Sequence, residues 1–86
     1  MTITKKSVAT KLCAYLRHEL ALGGLVDWAE EAMREGAFDN RDAELLATVI
    51  GRIGVADVRA FGLTWEDCEQ ILKQLGYSAK VDIFAA

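Results

Sequence analysis

His18 is the single histidine of this 86-residue chain, and histidine is the side chain most often used as a general acid or base near neutral pH. The nearest nucleophile is Cys13, five residues upstream. On a helix that offset turns the two side chains to different faces, because helical neighbours lie three or four residues apart, so a Cys/His nucleophile pair is geometrically poor here. Glu30, Glu31 and Glu35 are clustered carboxylates, yet no helical Glu-x-x-His motif and no aspartate-rich calcium loop accompanies them. Gly23-Gly24 is a bare dipeptide, without the lysine-bearing turn that cradles a phosphate. Cys13 and Cys68 lack metal-ligand spacing and both fall on apolar helical positions, where a thiol packs as a small hydrophobe. The expectation is therefore a protein that is not an enzyme, with no cofactor and no metal, in a reducing, cytoplasmic setting.

Charge is the most informative feature that remains. Lys5, Lys6, Lys11 and Arg17 stand in the first eighteen residues without an acid among them, whereas the rest of the chain carries six bases against thirteen acids. The result is a charge dipole within a net charge of −3. Such asymmetry bears on partners and encounter rates, not on fold. With 52% hydrophobic residues, 27% charged residues and no proline, the chain reads as one small globular domain, residues 1–86, and not as a disordered segment. Lys11, Arg17, His18 and Glu19 interrupt the apolar stretch that follows Lys5 and Lys6, so neither a signal-peptide core nor a membrane span is expected. A basic amphipathic start without acids also describes an organellar transit peptide, but the same helix is needed to complete so small a core.

The elements that would position these groups follow from apolar periodicity and glycine punctuation. A first helix is expected from Thr4 to Leu22, with Val8, Leu12, Tyr15, Leu16 and Leu20 on one arc and a break at Gly23 and Gly24. A second, from Leu25 to Glu35, buries Leu25, Trp28, Ala29, Ala32 and Met33, presents Asp27, Glu30, Glu31 and Glu35, and stops at a left-handed Gly36. Asp39 or Asn40 caps a third helix whose stripe is Leu45, Leu46, Val49, Ile50 and Ile53. Thr64, with Asp67 three residues on, opens a fourth that buries Trp65, Cys68, Ile71, Leu72 and Leu75 and ends at Gly76. Residues 55–61 fit a short helix or a strand, and Tyr77 to Phe84 alternate as an edge strand does. The fold class is mainly α, a compact bundle of four amphipathic helices with a C-terminal extended segment or edge strand. The alternative is a small α+β domain with residues 55–61 and 77–84 as strands.

These features favour a small acidic cytosolic protein-protein interaction module. Its expected partner is another protein, basic in charge, and its expected partner-binding residues are Asp27, Trp28, Glu30, Glu31, Glu35 and Trp65, with the tryptophans serving as aromatic anchors where exposed. An inhibitor of a basic partner, of immunity-protein or antitoxin type, is the concrete form of this reading. The alternative is a nucleic-acid-associated accessory protein using the basic first helix. That alternative is disfavoured because acids open the fourth helix and no aromatic stacking platform accompanies the bases. Membrane binding is not expected, since it would pull the apolar face of the first helix out of the core. A homodimer through Tyr77 to Phe84 is a third arrangement.

Overall fold

The computed structural model describes residues 2–57 and 63–78. Its order is β1 (Thr2–Ile3), α1 (Lys5–Leu16), α2 (Leu22–Glu35), β2 (Ala37–Phe38), a 3₁₀ turn (Asn40–Asp42), α3 (Ala43–Gly54) and α4 (Trp65–Gln74). The fold is mainly α and compact, with four helices among the described residues, as the periodicity predicts. The strands lie where no alternation announces them. β1 and β2 pair in parallel, Thr2 beside Ala37 and Ile3 beside Phe38, with α1 and α2 forming the crossover between them. Asp39 N–H extends the ladder by donating to the Ile3 carbonyl at 3.0 Å.

α1 is closed at its start by a reciprocal cap. The Thr4 hydroxyl accepts from Ser7 N–H at 3.1 Å and the Ser7 hydroxyl accepts from Thr4 N–H at 2.8 Å. The helix ends at Leu16, short of Leu22, because His18 takes a left-handed conformation (φ 63°). The amides of Glu19 and Leu20 then both turn back to the Ala14 carbonyl. This reversal folds Leu20 onto the core and leaves Glu19, the charged misfit of the apolar arc, exposed beyond the helix.

Gly23 and Gly24, expected to break the chain, instead lie in the first turn of α2. Backbone N–H groups there have no intrahelical partner whatever the residue, so glycine does not forbid the turn. Gly36 is also placed differently from expectation. Its φ of −76° is ordinary extended backbone, and what requires glycine is proximity: a Cβ there would stand 2.5 Å from the Ala32 carbonyl oxygen and 2.8 Å from Ile3 Cγ1. Removing the side chain lets α2 run directly into β2 beside β1.

Asp39 caps the 3₁₀ turn through Arg41 N–H at 3.1 Å, and α3 begins at Ala43. Leu46, Val49, Ile50 and Ile53 are buried as expected, with Leu45 and Phe38 packed at the margin. α4 matches its prediction closely. Thr64 and Asp67 form the reciprocal cap, and Gly76 (φ 92°) ends the helix. Gly76 N–H reaches the Lys73 carbonyl and Tyr77 N–H reaches that of Leu72, the paired bonds of a Schellman stop.

Ile3, Val8, Leu12, Leu25, Leu46, Ile50, Ile53 and Ile71 are fully enclosed. No polar or charged side chain among the described residues is buried with them. Residues 55–57 form a turn that continues the end of α3, with Ala56 N–H on the Ile53 carbonyl, and not the strand of the α+β alternative. The rest of residues 55–61 lies outside the described residues apart from that turn. Tyr77 and Ser78 follow α4 without regular structure, and the remainder of the expected edge strand, 79–84, also lies outside the described residues.

Candidate functional site

Asp27, Glu30, Glu31 and Glu35 are all exposed on α2. At about 100° per residue they fan over roughly 140° of the helix, with Arg34 inside the fan. None of the four side chains forms an ion pair or hydrogen bond with a described residue, although Arg34 lies one turn from Glu30. Three aspartates outside α2 are used differently, while Glu19, Glu44, Asp57 and Glu66 are exposed and likewise make no ion pair with a described residue. Asp42 binds Lys5 at 3.3 Å, Asp39 caps the 3₁₀ turn, and Asp67 both caps α4 and binds Arg52 at 2.6 Å.

The two tryptophans do not join this face as open anchors. Trp28 is half-buried against the core, with Lys11 Nζ 5.9 Å from its ring centroid, a cation–π approach. The packing of α2 against α1 therefore sets the aromatic of the acidic helix beside Lys11 of α1. Trp28, Lys6, Thr10, Lys11 and Ile3 border a shallow groove of about 370 Å³. Trp28 is thus an aromatic neighbour of Lys11 that sequence spacing within α1 could not reveal. The hydroxyls of Ser7 and Thr10 are already engaged, with the Thr4 and Lys6 backbones respectively. Trp65, at the first position of α4, is half-buried and borders neither this groove nor the one described next.

A second groove of about 380 Å³ runs between α2 and α3. Ile50, Gly51 and Gly54 form its floor, Met33 and Val55 its walls, and Glu30 and Arg34 its rim. Met33 was expected in the core but is 53% exposed. It sits at the edge of the apolar stripe of α2, where the glycines of α3 present nothing for it to pack against. The sequence signal for this groove was the pair Gly51 and Gly54 inside an apolar helix.

The single histidine and the two thiols lie in different surroundings. His18 is exposed beyond α1, Cys13 is half-buried within it, and Cys68 is enclosed in the core. Burial pushes the Cys68 thiol up to about 11, Asp67 adding to the rise and Arg52 opposing it. Among the described residues no three or more His, Cys, Asp or Glu side chains converge as a metal site, and no helix is long and apolar enough to cross a membrane. No protein-family model matches the chain, and no curated protein or solved structure does so either.

Proposed function

We propose that this chain is a small protein-binding module that engages a basic partner through the exposed acids of α2. The supporting observation is the division of labour among its carboxylates. Asp39, Asp42 and Asp67 are committed to caps and ion pairs, whereas Asp27, Glu30, Glu31 and Glu35 gather on one exposed helix face without a described counter-charge. Like charges at helical spacing repel one another slightly. A complementary basic surface relieves that repulsion and speeds encounter, with the effect screened by salt. Inhibition of a basic enzyme in the cytosol, after the fashion of an immunity protein or antitoxin, is the specific form this reading takes, and it assigns the chain binding and not catalysis. Trp28 packs half-buried on the same helix, and Trp65 is half-buried at the start of α4.

The test is a charge reversal that spares the groove rim: Asp27→Lys, Glu31→Lys and Glu35→Lys together. These exposed positions predict an unchanged circular dichroism spectrum and a partner affinity reduced at least about tenfold at low salt. An unchanged affinity at low salt contradicts the proposal.

A second reading rests on Lys6, Lys11 and Trp28 sharing one groove. Two ammonium groups beside an indole combine charge and stacking, the pairing by which single-stranded nucleic acid is held. The net negative charge of the molecule and the committed hydroxyls weigh against it.

A further inference from the structure

α3 carries a glycine where its own fold does not call for one. Gly51 lies inside the helix, one turn before its end, without a positive φ, and an added Cβ would meet nothing within 4 Å. Glycine within a helix is less stable than alanine, and at Gly36 the fold supplies a steric reason that Gly51 lacks. The open space above Gly51 is the floor of the α2–α3 groove. Met33 and Val55, 53% and 38% exposed, wall that groove. They are two of the three large hydrophobics exposed among the described residues.

The rim says what fits. Glu30 and Arg34 border the same groove, one turn apart on α2, and neither is paired with a described residue. A basic occupant is opposed by Arg34 and an acidic one by Glu30. A surface with both signs around an apolar centre complements itself under a twofold rotation, as an isologous interface requires.

We propose that this groove is a twofold interface between two copies of the chain. The α3 helices cross at Gly51, where the missing side chain permits close approach. Met33 and Val55 of each copy cover the groove of the other, and Glu30 of one copy pairs with Arg34 of the other. Asp27, Glu31 and Glu35 stay outside this contact and only Glu30 belongs to both surfaces, so charge reversal at the other three acids tests the basic-partner reading separately.

Sedimentation equilibrium of the full chain, from low micromolar to submillimolar concentration, tests it. A concentration-dependent dimer is expected. Glu30→Arg alone and Arg34→Glu alone should each raise the dissociation constant at least about tenfold. The double variant, and an equimolar mixture of the two single variants, should restore association, because both return opposite charges to the rim. Gly51→Leu should abolish the dimer while the circular dichroism spectrum stays native. A monomer throughout the concentration range overturns the proposal. So does a dimer indifferent to both charge reversals, which would place the contact on another face such as Tyr77 to Phe84.

Discussion

Arg52 on α3 donates to Asp67 Oδ1 on α4 at 2.6 Å, while Oδ2 of the same carboxylate accepts the Thr64 backbone N–H at 3.0 Å. One side chain thus closes the start of α4 and fastens that helix to its neighbour. The carboxyl is held below its ordinary value of 3.8, first by the Thr64 backbone bond, with the Thr64 hydroxyl and the Arg52 charge adding and partial burial opposing.

The pH dependence follows from that direction. A carboxyl whose pKa is lower in the folded state contributes stability that is complete above its unfolded value and is lost as pH falls through the folded one. Thermal unfolding of wild type and Asp67→Asn should differ near neutral pH, the wild type being more stable, and the gap should close as pH falls below about 4. A gap of constant size down to pH 2 would mean that the ionised carboxylate is not the stabilising species.

Two backbone positions should respond in opposite directions. His18 occupies a left-handed conformation at the end of α1, where a non-glycine residue is disfavoured. His18→Gly should therefore raise stability by up to about 1 kcal/mol in urea denaturation. Gly36→Ala places a methyl against the Ala32 carbonyl and Ile3, and should lower stability by about 1–3 kcal/mol. Equal effects at the two sites would contradict this reading of the α1 and α2 termini.

The thiols should separate by reactivity. Cys68 is enclosed and its thiol is pushed up to about 11 by that burial, whereas Cys13 is only half-buried. The thiolate is the reactive form, so iodoacetamide at pH 8 should label Cys13 first, with Cys68 modified only on unfolding. Mass spectrometry of the alkylated native protein checks this, and early labelling of Cys68 would show that α4 opens readily from the core.

What could be read from the chain beforehand divides along local and non-local lines. α4 was legible to its ends because Thr64, Asp67 and Gly76 act on backbone groups a few residues away. The stripe of α3 was legible for the same reason. β1 and β2 were not, since two residues carry no period, and their pairing depends on Gly36 admitting Ile3. The end of α1 was misplaced because His18 takes the conformation that glycine usually signals, while Gly23 and Gly24 sit in a helical turn that tolerates them. On the surface, the exposed acids of α2 followed from spacing alone. Trp28 beside Lys11, and Met33 over a glycine floor, depend on which helices meet, information that no single amphipathic stripe contains.

The most direct test of an acidic binding face is paired affinity capture from a host lysate, using wild type and the Asp27→Lys, Glu31→Lys, Glu35→Lys variant, at low and moderate salt with nuclease controls. The predicted result is a stoichiometric basic protein retained by wild type at low salt, released as salt rises, and lost from the variant. Capture that is equal for both proteins, or nuclease-sensitive material that depends instead on Lys6 and Lys11, would contradict it.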